Sequence, residues 1–349
     1  MKLATVSELN QAVALPRRGK FDRIIRGATM NAPLAPAHSP FGGSVVTRVL
    51  RCPASVGLVE KVPVHLRRSS AYAERGTALH SALALLLDDN GPSLESLVGR
   101  TIGDYAITDG DVENSLRPVF THITALLDAP GTEFYLERRV GFPTIPGAYG
   151  TADLLIRIGN TIHVVDLKFG AGVRVTALTP DGDEDVINAQ LLFYAAAARH
   201  SLREFFAGVE TVVLTILQPM SIEADAEMVS SVEVGHAELD GFIAIYRAAC
   251  EEALSEFPRL ARGDWCRFCA ARPICPAHTG PLLDLAQLVA PAPAGPNFSI
   301  LAPPPAKEAY LQLLTGEERE CTRPRARMGR NRAVVFPGAR HLPKRRADR

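Results

Sequence analysis

The chain has 349 residues, 47% of them hydrophobic, so it is long enough to bury a substantial core. Its 38 basic and 38 acidic residues balance, and the overall charge therefore gives no support for a nucleic-acid partner. It has no run of about 18 apolar residues and no secretory signal pattern at its N-terminus, so we expect a cytoplasmic protein without a membrane segment.

Helical periodicity follows a proline-rich start. Residues 1–44 mix proline, glycine and basic residues without sustained periodicity, which predicts a flexible N-terminal extension. Three later segments have apolar residues at helical spacing. They are 44–52, which begins at a capping serine and stops at Pro53, 71–89, and 111–129, which Pro118 bends or restarts.

The next region changes to a β period. Residues 133–142, 149–159 and 161–170 are β-rich runs separated by Pro-Gly and Gly-Asn turn signals, which predicts three consecutive antiparallel strands. Gly159-Asn160 predicts a tight hairpin between the last two. Further along we predict a helix over 185–202, a buried strand over 209–220 and a long helix over 236–257.

The C-terminal part differs in composition. After residue 280 a Pro/Ala-rich linker leads into a basic tail, with ten Lys or Arg and one acidic residue, Asp348, between Cys321 and Arg349. Such a tail is either a solvated arm that binds polyanions or a disordered segment without a specific ligand. We therefore expect an extension over 1–44, one domain over 45–280, and a linker with a tail over 281–349.

The predicted hairpin carries three charges, on Asp153, Asp166 and Lys168. Asp153 and Asp166 each lie six residues from the Gly159-Asn160 turn, so they become near neighbours across it. Two close carboxylates repel, which favours a bound divalent cation, Mg²⁺ or Mn²⁺, with the lysine beside an attacking water or a phosphate. The alternative is an exposed hairpin with a solvated Asp-Lys pair.

Further motifs accompany these charges. His80 lies upstream in "RGTALH", and Gln190 and Tyr194 share a helical face downstream. With "GTAD" and "DLK" at this order and spacing, the chain resembles the RecB-type branch of the PD-(D/E)XK nucleases, in particular phage and prophage RecB-like exonucleases, which are related to the CRISPR-adaptation nucleases and the AddB nuclease domain. The resemblance covers about Ser44 to His278. It implies an α/β, restriction-endonuclease-like core of order αβββαβ, with additional helices and a C-terminal cysteine region.

The resemblance implies an enzyme, a metal-dependent DNA exonuclease that hydrolyses phosphodiester bonds. Its expected substrate is single-stranded DNA ends, in phage or prophage recombination, replication or end processing. Two alternatives stay open: a non-catalytic DNA-binding subunit of a helicase or recombinase complex, and a nuclease that acts on RNA. The chain has no G-x-x-x-x-G-K-[ST] motif, so any motor activity would come from a partner.

The resemblance also implies the metal ligands. They are the side chains of His80, Asp153 and Asp166 and the carbonyl of Leu167, with Mg²⁺ or Mn²⁺ as the ion. Taken alone, a histidine such as His80 is more often a packed helix residue than a metal ligand.

The other implied site residues surround these ligands. Lys168 positions the water and stabilises the transition state. Gln190 and Tyr194 line the site, where they contact the scissile strand or hold Lys168. Glu74 and Glu137 are expected near the site in supporting roles.

A cysteine cluster occupies the end of the expected domain. Cys266, Cys269 and Cys275 are spaced C-x₂-C-x₅-C, which favours a metal over a disulfide in a reducing compartment. In the resembling nucleases such a trio joins a distant cysteine, here Cys52, to hold a [4Fe-4S] cluster. The alternative is Zn²⁺ bound by the three clustered cysteines and His278.

Overall fold

Helices alternate along the chain with the strands of one mixed sheet. Among the described residues, no helix combines the length and the apolar character needed to cross a bilayer. The computed structural model describes residues 39–63, 71–170, 172–181, 184–221, 226–278 and 340–341.

The predicted helices are present, with changes at their ends. The first one ends at Arg51, before Pro53, but the chain then forms a further short helix. The predicted helix over 185–202 begins only at Ala189, because the Asn188 side chain caps it by accepting a hydrogen bond from the Gln190 N–H. The helices of six or more residues are α1 (Val46–Arg51), α2 (Ser55–Glu60), α3 (Ala71–Leu86), α4 (Arg117–Leu127), α5 (Ala189–Ser201) and α6 (His236–Ala253).

The entry into α4 explains the position of Pro118. A helical turn, Asp109–Asp111, leads into a π-helical segment, Val112–Leu116, and α4 follows with Pro118 in its first turn. Proline has no N–H to donate and is tolerated only there. The prediction that Pro118 starts a new segment is therefore confirmed.

A central sheet lies between the helices, so the coarse expectation of a mixed α/β fold is confirmed. Its strands are β1 (Glu133–Gly141), β2 (Tyr149–Ile158), β3 (Thr161–Leu167), β4 (Thr211–Leu217), β5 (Val229–Val234) and the short β6 (Arg340–His341). Their order across the sheet is the same as their order along the chain. The strands β3 and β4 are parallel and are joined by a crossover through α5, and the other neighbouring strands are antiparallel.

Some of the strands are not anticipated by the sequence. They are β5, β6 and two small hairpins, Thr101–Ile102 with Tyr105–Ala106 and Leu178–Asp181 with Glu184–Ile187. The segment Asp185 to Ile187, predicted as helix, belongs to the second hairpin. The basic tail lies outside the described residues apart from β6, which pairs with β5 at the sheet edge.

Both faces of the sheet are covered. Along β2, Leu154 and Ile156 pack into a core with α3 and α4, and Leu155 packs into a core with α5 and α6. The second core also holds Phe41, whose carbonyl accepts a hydrogen bond from the Tyr246 hydroxyl. The end of the predicted N-terminal extension is thus part of the fold, and residues 1–38 lie outside the described residues.

The predicted hairpin turn is confirmed. Ile158 pairs with Thr161 across Gly159 and Asn160, and Gly159 has a φ of 61°. A two-residue hairpin turn with positive φ is the type that glycine favours. The strand register on both sides of the turn is fixed by this geometry.

Gly159→Ala should destabilise the protein by about 1 kcal/mol, because alanine resists the left-handed conformation. An ideal Cβ at Gly159 meets no atom within 4 Å, so the effect is purely conformational. We expect a melting temperature lower by about 2 to 4 °C. Gly57→Ala is the control, since Gly57 lies inside α2, also with free space for a Cβ, and there alanine should stabilise. Equal shifts for both variants would contradict this account.

Candidate active site

The strand register brings three carboxylates side by side. In β1 and β2, the pairs Leu136–Leu154 and Arg138–Ala152 flank Glu137 and Asp153, which therefore face each other. In β2 and β3, pairing runs to Leu154–Val165, and its continuation sets Asp153 opposite Asp166. Three adjacent strands thus place three acidic residues at one level of the sheet.

Glu137 has an unusual backbone conformation. Its φ is 48°, and among the described residues it is the one non-glycine residue with positive φ. Such a conformation costs free energy for a residue with a side chain and is concentrated at functional sites. Its carboxylate lies 3.7 Å from His80 Nδ1.

His80 joins α3 to these strands. Its Nδ1 atom is 3.7 Å from Asp153 Oδ1 as well as from Glu137, and its ring packs edge-on against Phe169. Burial alone would lower the His80 pKa, but the interactions with Glu137 and the charge on Asp153 outweigh it, so the pKa is raised. His80, Glu137 and Asp153 have ligand atoms within 4.8 Å of one another, which suits a shared metal ion.

Asp153 lies at the centre of this group. Burial, followed by repulsion from Asp166, raises its pKa to about 7, although its Oδ2 atom accepts a 2.8 Å hydrogen bond from the Leu167 N–H. This carboxyl group is therefore poised to bind either a proton or a cation.

Asp166 and Lys168 form the other half of the site. Lys168 Nζ is 2.7 Å from Asp166 Oδ2 and 2.9 Å from Gln190 Oε1. Asp166 is buried, and its Oδ2 makes no hydrogen bond with any described residue, so the contact with Lys168 is an ion pair without hydrogen-bond alignment. Gln190, on α5, thus holds Lys168. Holding this lysine is one of the two roles expected for Gln190.

Tyr194 is buried beside the carboxylates. Burial, with the charges of Asp166 and Asp153, raises the pKa of its hydroxyl. Its ring packs on two glycines, since a Cβ on Gly43 would lie 2.7 Å from the ring and one on Gly150 3.0 Å from it. A Cβ at Gly43 would therefore displace the ring, and one at Gly150 would be tight against it, because the backbone approaches an aromatic ring.

A partly buried arginine, which the sequence does not single out, supports the site. Arg75 on α3 donates to Asp111 at 2.7 Å, to Ser115 at 3.1 Å and to the carbonyl of Phe169, which follows Lys168 in the chain. It therefore ties the helix of His80 to the end of β3. In the sequence, Arg75 could have been found from its place in "RGTALH", five residues before His80.

The candidate site is open to solvent along α3. A cleft of about 590 Å³ is lined by Thr77, His80, Ser81 and Glu137, together with two apolar residues of the helix. The proposed ligand atoms at this side are therefore reachable by a substrate.

The structure brings most of the predicted site residues together and leaves one apart. Glu137, expected in a supporting role, converges with His80 and Asp153, whereas Asp166 pairs with Lys168. Glu74 is exposed in the first turn of α3 and does not belong to the converging group. The predicted ligand role of the Leu167 carbonyl stays a prediction.

The cysteines form a second candidate site. Cys52, at the end of α1, and Cys266, Cys269 and Cys275 all line one small cavity, together with His278. Burial raises the pKa of the Cys52 thiol, and the proximity of Cys266 and Cys275 adds to this effect. Residues more than 200 positions apart in the chain thus meet at one point.

The sequence profile of a family described as "Protein of unknown function (DUF2800)" matches residues 38–303. This match spans about three quarters of the chain and includes both candidate sites. The description assigns no activity, so function has to be argued from the geometry.

Removing the charge of Asp153 should stabilise the metal-free protein at high pH. A carboxyl pKa raised to about 7, from about 4 in the unfolded chain, contributes stability that is present at low pH and lost as the pH rises through 7. In EDTA, Asp153→Asn should therefore melt roughly 2 to 6 °C above the wild type at pH 8, and the gap should shrink toward pH 5. Glu74→Gln is the control, and a destabilised Asp153→Asn variant at pH 8 would contradict the account.

Proposed function

The chain belongs to the DUF2800 family, and we propose that it is a metal-dependent DNA exonuclease of the RecB-like, PD-(D/E)XK type. The observation that carries the proposal is the convergence of Glu137, Asp153 and Asp166 on three adjacent strands, with His80 and Lys168 beside them. The order of helix, three strands, helix and strand, with β3 and β4 parallel, also agrees with the αβββαβ core of those nucleases.

The donor set fits Mg²⁺ or Mn²⁺. Carboxylate oxygens are the ligands that these ions prefer, and a cation would relieve the repulsion that raises the Asp153 pKa. The buried Asp166 Oδ2 makes no hydrogen bond to a described residue but lies 2.7 Å from Lys168 Nζ, so a bound cation would share this carboxylate with the lysine. We propose His80, Glu137, Asp153 and Asp166 as the side chains that hold the ion.

A divalent ion held there supplies an activated water and neutralises charge on the phosphate. Lys168 presents a cation at the same place, where it would stabilise the charge that develops on the phosphate oxygens. Gln190 limits the movement of Lys168 through the 2.9 Å hydrogen bond, and Asp166 holds the amine through the 2.7 Å ion pair. The lysine is thus oriented before the substrate arrives.

The cysteine cavity fits an iron–sulfur cluster better than zinc. With Zn–S bonds of about 2.3 Å, tetrahedral thiolates lie about 3.8 Å apart. Among the described residues, His80, Glu137 and Asp153 are the one set of three His, Cys, Asp or Glu residues whose ligand atoms lie within 4.8 Å of one another. No three of the cysteine sulfurs therefore lie within 4.8 Å of one another. We propose that Cys52, Cys266, Cys269 and Cys275 hold a [4Fe-4S] cluster with a structural role.

Cleavage of end-labelled DNA tests the enzyme. The wild type should degrade single-stranded DNA with Mn²⁺ or Mg²⁺, and Asp166→Asn and Lys168→Met should each lower the rate by at least about 100-fold. Calorimetric titration with Mn²⁺ should separate their roles: Glu137→Gln weakens Mn²⁺ binding, whereas Lys168→Met leaves it intact.

Asp240→Asn is the matched control, because Asp240 also pairs with a basic residue, Arg199, but on the exposed surface. Wild-type protein that binds DNA without cutting it would instead support a non-catalytic binding subunit. If the protein instead degrades an RNA oligonucleotide of the same sequence faster than the DNA, its substrate is RNA.

Iron content tests the cysteine site. Anaerobically purified Cys52→Ser should lose iron, sulfide and visible absorption and should melt at a lower temperature, because the cluster joins distant parts of the chain. Cys250→Ser, which changes a buried cysteine on α6 outside the cavity, should keep its iron. If Cys52→Ser retains bound zinc and His278→Ala loses it, the zinc alternative is correct.

A further inference from the structure

The cysteine region exposes aromatic rings and arginines that the active site does not use. Phe268 is 86% exposed, and the Arg267 guanidinium lies 5.3 Å from its ring centre. Three residues earlier, Trp265 has the guanidinium of Arg51 at 5.9 Å. Two aromatic rings therefore lie on one short segment, each with an arginine beside it: the partly exposed Trp265 with Arg51 of α1, and the exposed Phe268 with Arg267.

Basic residues outnumber acidic ones on this surface, where Asp264, which also lines the cleft described below, is the one acidic residue between Arg262 and Arg272. Arg262, Arg267 and Arg272 are exposed, and none of them forms an ion pair with a residue that the structure describes. Arg48 and Arg272 line the cysteine cavity and would offset the charge of a cluster there, but Arg262 and Arg267 do not line it. These two arginines are available to an external anion.

A cleft connects this surface with the active-site helix. Its volume is about 320 Å³, and its walls include Arg51 of α1, Trp265, and Asn188 and Ala189 at the start of α5. Gln190, the next residue, holds Lys168 in the active site. The cleft and the active site thus share the first turn of α5.

We propose that this cleft and the Arg267–Phe268 pair bind the single-stranded DNA that extends from the scissile phosphate. The inference rests on the proposed nuclease function. Phe268 stacks on a base and Arg267 contacts the backbone phosphate, a combination that binds single strands without sequence preference. Duplex DNA does not expose its bases to such a ring, so the surface selects single strands.

Binding measured without cleavage tests the proposal. In EDTA, the anisotropy of a labelled oligothymidylate of about 16 nucleotides should show at least about fivefold weaker binding to Phe268→Ala. Phe257→Ala is the matched control, because Phe257 is 84% exposed but has no arginine over its ring among the described residues. Arg267→Gln should lower the slope of log K against log salt by about 0.7, whereas Phe268→Ala should leave that slope unchanged.

Failure of this proposal can be told apart from failure of the enzyme assignment. Hydrolysis of bis(p-nitrophenyl) phosphate, which is too small to reach Phe268, should be the same for Phe268→Ala and the wild type. A wild type that binds DNA through Phe268 but hydrolyses nothing overturns the enzyme and, with it, the link to a scissile phosphate, and leaves only the single-strand binding by this surface. Equal DNA affinity of Phe268→Ala and Phe257→Ala overturns the inference.

Two further results would also overturn it. One is a change in sedimentation of Phe268→Ala with unchanged DNA binding, which would identify the surface as a protein interface. The other is an unchanged affinity and salt slope in Arg267→Gln, a surface variant that remains informative if Phe268→Ala fails to fold.

Discussion

Repulsion between carboxylates at one level of the sheet is the constraint on which the active site depends. Glu137, Asp153 and Asp166 are brought together by backbone pairing, and the β-sheet cannot relax their proximity without losing its register. His80 contacts Asp153, and Lys168 contacts Asp166. Burial, and after it the charge of Asp166, still raises the pKa of Asp153 to about 7.

The surrounding helices hold the charged strand ends in place. Arg75 fastens α3 to the carbonyl of Phe169, and the Tyr194 ring of α5 packs closely on the backbone of Gly43 and Gly150. Each helix also supplies one polar group to the site, His80 from α3 and Gln190 from α5. Packing on both faces of the sheet therefore fixes the distances between the ligands and the lysine.

The sequence predicts the neighbourhood of Asp153 and Asp166 because a two-residue turn at Gly159-Asn160 determines the register on both sides. The resemblance places Glu137 near the site in a supporting role, but no local pattern predicts its left-handed backbone conformation or its contact with His80. The sequence does not predict the strand β5, because its residues, "VSSVEV", mix polar and apolar side chains and several of them are only partly buried. The meeting of Cys52 with the other cysteines is a tertiary contact, which only the resemblance to known nucleases anticipated.

The two candidate sites are connected through α1. Gly43, in the turn before this helix, packs against Tyr194 beside the carboxylates, and Cys52, which follows the helix, lines the cysteine cavity. At a rise of about 1.5 Å per residue, the nine steps between them span roughly 14 Å. A cluster bound by Cys52 would fix one end of this short segment, and Tyr194 contacts the other. The segment that contains α1 therefore links the cysteine cavity to the group of carboxylates.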